Sequence, residues 1–532
     1  MKKIHFRKPF YLILFCFVSV SVFGQATPPA PNNPKPLEKD KKDAVQPQQI
    51  DSQKDQDSQT ERPPREDLPF PINEKKRLTV RDVNKKQEGG FFTGLPLINS
   101  DPNNGIGYGI RVFYFQNGEK KNPLFEYTPY RYRVFAQYFQ TTRNAEFHTI
   151  NFDAPYIFDS QWRLRADMIM ERNPNNLYFG VGESSLKTLS YKDYQAYGTP
   201  IVENATFASY EEGQRFRRLG NDPTQQGMVT QHLYNRYDFQ NPNANFSFER
   251  SFFGGTVRAV MGTRISRQTI RTYDNTFTNA PGPFFATDGN NLAVNQFFGN
   301  AIFSEIPTQV PQTKLVEDSK AGLIRGLNGG YVNTLRVGLV YDTRDFEPDP
   351  NSGVFLETTH ERSSKAFGSN YQFNRTLASA RVFYSPFKGT VEKLVFAGRA
   401  TFSNTTGDAP FYEYRNMWGT EGQVAGLGGR TTLRGYKQDR FIGPAMGFAN
   451  LELRWKFWGI KTAKGSTFDF QVVPFFDIGR VWDRASDANF KDYKFSQGIG
   501  LRIPWNQSTI IYVDHAWSRE DRQTFFNFQH IF

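Results

Sequence analysis

Three side chains in the C-terminal third of the chain have the types and spacing of an internal ion-pair site: Arg434, within Leu433-Arg434-Gly435-Tyr436, and the carboxylates Glu452 and Asp477. Strict alternation sets Ala445, Gly447, Ala449, Leu451, Leu453, Trp455 and Phe457 on one face of a strand and Asn450, Glu452, Arg454 and Lys456 on the other. In the following strand Asp469, Gln471 and Asp477 share a face opposite Phe468, Phe470, Val472 and Phe476. Neighbouring strands thus bring two carboxylates to one wall, a pair that wants a cation. Gly426, Gly428, Gly429 and Gly435 let the preceding loop fold back and offer an arginine fork to both. The same spacing also permits a solvated Arg434 above two wetted carboxylates. Catalytic patterns are missing: Gly182-Glu183-Ser184-Ser185-Leu186 lacks the last glycine of a nucleophile elbow, and Gly105-Ile106-Gly107-Tyr108-Gly109 lacks the spacing of a dinucleotide loop. His5, His148, His232, His360, His515 and His530 show no metal-ligand spacing, and Cys16 is the one cysteine. The expectation is no enzyme, no metal and no cofactor.

The elements that would position these residues read as an all-β chain. Aromatics make up 16% of 532 residues, Phe alone 52, yet mean hydropathy is −0.61. That suits strands apolar on alternate residues and excludes membrane-spanning helices. Sixteen such segments follow Gly89. The three longest connections, about 173–233, 272–330 and 403–443, follow strands five, seven and eleven, so all fall on one side, as in barrels with long outward loops and short periplasmic turns. The fold expected for 91–532 is a sixteen-stranded antiparallel transmembrane β-barrel in the outer membrane of a Gram-negative-type bacterium, with its sixth extracellular loop folded inward. Strand one carries Gly94 and Pro96, and proline cannot donate to a ladder, so its pairing with the last strand, which carries Phe528 and Phe532, should be short and weak.

Upstream, Lys2, Lys3, Arg7 and Lys8 precede an apolar run from Phe10 to Phe23, the pattern of a signal peptide over 1–24. Residues 25–90 hold ten prolines and a single aromatic, Phe70, which predicts a disordered periplasmic tether. The net charge of +12 is spread among acids rather than clustered, which argues against nucleic acid as a partner.

Four motifs then resemble those of the BamA/TamA superfamily of outer-membrane protein insertases and two-partner secretion transporters. Leu433-Arg434-Gly435-Tyr436 is similar to that family's loop-six signature, and FANLELRW with Glu452 to its strand twelve. Phe476-Asp477-Ile478-Gly479 resembles its strand-thirteen motif. Tyr341-Asp342-Thr343-Arg344-Asp345, followed by Pro350 and Gly353, resembles its periplasmic turn. The resemblance implies that Arg434 locks loop six inside against Asp477 and Glu452. It also implies insertion or translocation of proteins, or of lipids, through a seam between the first and last strands. Outer-membrane lipid, client proteins and periplasmic or outer-membrane subunits are the partners implied. Residues 25–90 depart from the family pattern, being too short and proline-rich for a POTRA module. A passive channel or a surface-exposed structural or binding barrel is the alternative function.

Overall fold

The computed structural model describes residues 63–532 apart from 64, 79, 102, 193–200, 214–232, 274–312, 346–348, 387–393, 462–466, 506–508 and 529–530. The reading of 1–24 as a signal peptide lies outside these residues, as does most of the tether. Sixteen strands form one closed antiparallel sheet: β1 Gly90–Asp101, β2 Gly105–Gln116, β3 Tyr132–Thr141, β4 Glu146–Ala154, β5 Trp162–Leu177, β6 Arg236–Phe252, β7 Val257–Thr272, β8 Thr334–Asp342, β9 Gly353–Ser363, β10 Phe373–Tyr384, β11 Leu394–Gly407, β12 Ala445–Lys461, β13 Thr467–Trp482, β14 Lys494–Trp505, β15 Thr509–Trp517 and β16 Arg522–Phe528. A two-residue strand, Gly330–Tyr331, continues β8 along β7. Each strand pairs with its neighbours in chain order and β1 meets β16, which closes the sheet. Among the described residues no helix is long and apolar enough to cross a membrane.

The wall is inside-out relative to a soluble sheet. On β8, Leu335, Val337, Leu339 and Tyr341 stand outward and exposed, while Thr334, Arg336, Val340 and Asp342 are buried inward. The same polarity holds on β12, with Leu451 and Trp455 outside and Asn450, Glu452 and Arg454 inside. Alternating residues leave a greasy belt and a polar lumen, the arrangement of a membrane barrel.

Two details escaped periodicity. β5 runs on to Leu177 through Asn173-Pro174-Asn175-Asn176, a stretch that reads as a turn but is accommodated by a register shift against β6. A second shift between Lys456 and Trp458 sets Phe457 and Trp458 both outward.

The tether is ordered further than expected. Residues 63–89 contain a 3₁₀ turn, Glu74–Lys76, and a short helix α1, Val80–Lys85. Leu68, Phe70 and Ile72 pack on Leu124, Tyr127 and Tyr156, and Arg77 pairs with Glu126 at 2.7 Å. Asn73 N–H donates to Gly254 O at 3.0 Å. The segment therefore crosses the β2–β3, β4–β5 and β6–β7 turns. Composition over 66 residues hid this because the apolar anchors are confined to Leu68-Pro69-Phe70-Pro71-Ile72. It also explains the β2–β3 connection, long for a short-turn end: it is the docking site.

The opposite, long-loop end is capped. Tyr178, Tyr237, Phe239, Leu315, Phe411 and Tyr412 form an apolar cluster drawn from three long connections and the strand ends beneath them. The connection from β11 to β12, loop six, descends from this cap into the lumen.

Candidate functional site

Loop six is held inside by apolar packing before any charge is considered. Leu427, Leu433, Tyr436 and Phe441 of the loop form a buried cluster with Met446, Phe448 and Val481 of β12 and β13. Leu433, wholly buried, contributes on the order of 1.5–3 kcal/mol from apolar area alone. Gly435 has φ +89, and a Cβ there would lie 2.9 Å from the Trp517 backbone. That close, left-handed turn aims Arg434 at the wall.

Arg434 is fully buried. Its Nε donates to Asp477 Oδ2 at 2.8 Å and its Nη2 to Asp477 Oδ1 at 2.8 Å, a two-pronged fork, while its own backbone N–H donates to the same carboxylate at 3.1 Å. Nη1 donates to Glu452 Oε1 and to Asp514 Oδ2, both at 2.9 Å. The guanidinium stacks on Phe475, its Cζ 3.4 Å from the ring centroid.

The surroundings supply what sequence reasoning missed. Asp514 on β15 is a third carboxylate, and two more arginines balance the set. Arg454 Nε donates to Glu452 Oε2 at 3.0 Å, and Arg502 bonds Asp514 and stands 3.4 Å from Glu452. Three cations face three anions, all buried, so the cluster is neutral as a unit. Asn450 ties it to the loop, donating to Asp477 Oδ1 at 2.7 Å and to Thr432 O at 2.6 Å. Asp514 and Arg502 lie on the inward face of their strands by parity, so alternation across β14 and β15 was the available signal. Such a cluster ties the loop to the wall, with each carboxylate occupied by arginine donors. Among the described residues no three His, Cys, Asp or Glu side chains are placed to hold a metal ion.

The turn motif lies at the other end of the same loop. Asp342 accepts from Arg344 Nε and Nη2, each at 2.9 Å, and from Arg258 Nη2 at 3.1 Å. Asp345 Oδ1 accepts the backbone N–H groups of Asn351 and Ser352, at 3.0 and 3.2 Å, which shapes the turn around buried Pro350. Gly353 has φ +108, with a Cβ position only 2.4 Å from Thr343 O. Loop six reaches this turn through a hairpin, Asn416–Trp418 with Gln423–Ala425, whose tip carries Glu421. Glu421 accepts from Arg344 at 2.5 Å and from Arg381 at 2.6 Å. Between the two ends, fully buried Glu413 pairs with Arg264 and Arg375 at 2.8 and 3.0 Å. The loop thus threads the lumen from the cap to the short-turn end.

The strands predicted to meet do so barely. Gly94 and Pro96 face outward on β1, paired with Val112 and Ile110 of β2. Between β1 and β16 the described residues show one pair, Ser100 with Phe526. Phe532 departs from expectation: β16 ends at Phe528, and Phe532 turns into the lumen, buried against Phe383, Val395 and Ala397. Ile531 O and Phe532 O accept from Arg399 and Arg454, each at 3.2 Å. Phe532 is therefore not part of the seam.

Residues 133–529 match the Omp85 superfamily domain. The chain belongs to the Omp85 superfamily. Residues 68–131, which span the docked segment, β1, β2 and the β2–β3 turn, match a domain of unknown function, DUF5982. The fold is similar to BamA from Haemophilus ducreyi lacking POTRA domains 1–3, at 12% identity over 84% of this chain and 70% of that chain, TM-score 0.44. It is also similar to CdiB from Escherichia coli, at 9% identity over 85% and 70%, TM-score 0.44, and to CdiB from Acinetobacter baumannii, at 10% identity over 83% and 60%, TM-score 0.41. No curated protein sequence matches the chain. As an Omp85 barrel it belongs to a Gram-negative outer membrane.

Proposed function

We propose that this Omp85 barrel inserts or translocates proteins at the outer membrane by parting the wall between β1 and β16, while Arg434, bound to Asp477, Glu452 and Asp514, latches loop six inside. The observation that carries the reading is the seam. β1 pairs with β2 along its full length, from Gly90–Gln116 to Asp101–Gly105, and β16 with β15 from Arg522 to Phe528, but β1 and β16 share Ser100–Phe526 among the described residues. A barrel that needed only closure would gain by zipping this edge. A lumen threaded by loop six and capped by aromatic loops argues against an open passive channel. No catalytic role is assigned to any residue, and protein partners would meet the periplasmic turns.

The test uses Ser100→Cys with Phe526→Cys, directly opposed positions within disulfide reach. Cells depleted of the wild type and supplied with the oxidised double variant should lose a defined set of outer-membrane proteins, recovered on reduction. A complete outer-membrane proteome with the seam locked would refute lateral opening.

A further inference from the structure

The lumenal wall beside the seam differs in chemistry from the rest of the interior. Cross-strand register sets four inward rows on β1, β2 and β3: Phe91–Phe115–Arg133, Thr93–Phe113–Phe135, Leu95–Arg111–Gln137 and Leu97–Gly109–Phe139. The intervening residues Phe92, Ile98, Ile110, Val112 and Tyr138 are exposed on the lipid side, so the rows face the lumen. Phe91–Phe115, Phe115–Phe113 and Phe113–Phe135 each have ring centroids 5.4 Å apart, a continuous aromatic ladder that is only half-buried. A barrel interior filled with water gains nothing from such a surface.

Two arginines share the ladder. Arg111 and Arg133 both stand over Phe135, at 4.6 and 5.5 Å, and over Phe113, at 5.8 and 5.9 Å. Many lumenal arginines, such as Arg264, Arg336, Arg375, Arg434 and Arg502, are matched to carboxylates. Here Arg111 donates to the neutral Gln137 Oε1, at 2.9 and 2.5 Å, and has no carboxylate within 4.0 Å among the described residues. Arg133 donates to Asn151 at 3.3 Å and reaches Asp153 only at 3.8 Å, a carboxylate already held by Arg163 at 2.6 and 2.7 Å. Two neighbouring guanidinium groups short of counter-charge favour an anion, and their fork geometry suits a phosphate.

The ladder is also reachable from the membrane. The pair Ser100–Phe526 sits near the end of β1, and Phe532 packs on Phe383, Val395 and Ala397 in the lumen. Among the described residues, β1 from Gly90 to Asn99, where the aromatic rows begin, shows no pairing on its β16 side.

We infer that this wall is a binding site for an anionic phospholipid of the periplasmic leaflet, entering at the seam with its phosphate between Arg111 and Arg133 and an acyl chain along Phe91, Phe113, Phe115 and Phe135. Burying even part of one acyl chain on the ladder removes apolar surface from water and favours binding. The site goes beyond the protein-insertion reading and does not require it.

The test places p-benzoylphenylalanine at Phe113, and for comparison at the lipid-facing Val112, in the full chain. The protein is reconstituted in phosphatidylethanolamine vesicles containing phosphatidylglycerol, irradiated, and its adducts are identified by mass spectrometry. The expected result is a phosphatidylglycerol adduct at 113, enriched over phosphatidylethanolamine, with that enrichment lowered about fivefold by Arg111→Gln together with Arg133→Gln. Lipid adducts at 112 with none at 113 would overturn the proposal, as would enrichment unchanged by the arginine variants. A polypeptide adduct at 113 in whole cells, in place of lipid, would also overturn it and assign the wall to client protein. Retained resistance to SDS at room temperature shows that each variant is folded. Client insertion is not measured here, so failure leaves the seam-locking experiment untouched.

Discussion

Replacing Arg434 by alanine should destabilise the seat of loop six by about 3–5 kcal/mol, the usual result of breaking a buried ion pair from one side. The geometry says where that cost falls. Glu452 would keep Arg454 at 3.0 Å and Arg502 at 3.4 Å, and Asp514 would keep Arg502. Asp477 loses both prongs of the fork and retains Asn450 at 2.7 Å and a backbone N–H at 3.1 Å, so it becomes a buried carboxylate without a cation. Removing that charge as well should help: the double variant Arg434→Ala with Asp477→Asn is expected to recover at least about 2 kcal/mol relative to Arg434→Ala alone. Lysine cannot replace the fork or stack on Phe475, so Arg434→Lys should fall between wild type and alanine. Urea unfolding in detergent micelles measures the stability differences, and trypsin reports the locality. Lys437 is buried in the folded loop, and an opening equilibrium raised by about two to three and a half orders of magnitude would expose a new cut after it. The rest of the loop stays anchored by Glu413 and the Leu427–Phe441 cluster, so the barrel should remain closed. Wild-type midpoints and trypsin pattern in Arg434→Ala, or no rescue by Asp477→Asn, would refute the reasoning.

Glu413 and Glu421 each meet at least two arginines, but Glu413 is fully buried while Glu421 is open to the lumenal mouth; Glu413→Ala should cost about 3–5 kcal/mol and Glu421→Ala less than about 1 kcal/mol in the same urea assay. Gly435→Ala forces a side chain into a left-handed turn against the Trp517 backbone and should cost about 1–3 kcal/mol or more, exposing the Lys437 site much as Arg434→Ala does. Docking of residues 65–89 should depend on pH through Lys86, whose Nζ lies between the carbonyls of Phe125 and Thr128 and whose pKa is pushed down from 10.5 to about 8 by burial and by nearby Arg131. The docked state then binds fewer protons than the released segment between pH 8 and 10.5, so docking strengthens as pH rises through that window and weakens as pH falls toward 8. Hydrogen exchange of the segment at pH 7 and 9.5 reads this out, and Lys86→Met should flatten the response.

Strand alternation made most of this barrel legible, because lipid outside and a wet lumen inside impose period two on every strand. It failed where the wall shifts register, at Asn173–Asn176 and Lys456–Trp458, since a bulge changes facing without changing composition. Arg434, Glu452 and Asp477 were visible because a short motif and two adjacent strands carry them. Asp514 lies two strands away from Asp477, and Glu421 belongs to a hairpin whose depth in the lumen depends on the fold of the whole loop; spacing along the chain encodes neither. The docked segment was misread because five residues with three apolar anchors, Leu68, Phe70 and Ile72, decide its fate inside a region whose average is polar.

The tail of the chain links the seam to the loop through shared arginines. Arg399 bonds Asn450 and the Thr431 carbonyl of loop six, and also donates to Ile531 O; Arg454 bonds Glu452 and also donates to Phe532 O. A tail returned to the wall to lengthen the β1–β16 ladder would give up both contacts with the network and the packing of Phe532 on Phe383, Val395 and Ala397. Charge-assisted hydrogen bonds contribute about 1.5–3 kcal/mol each, comparable with what a few added ladder bonds would return. The weak seam is then not an unfinished edge. The arginines that bond loop six and Glu452 also bond the tail, so loosening the loop is expected to loosen the tail with it.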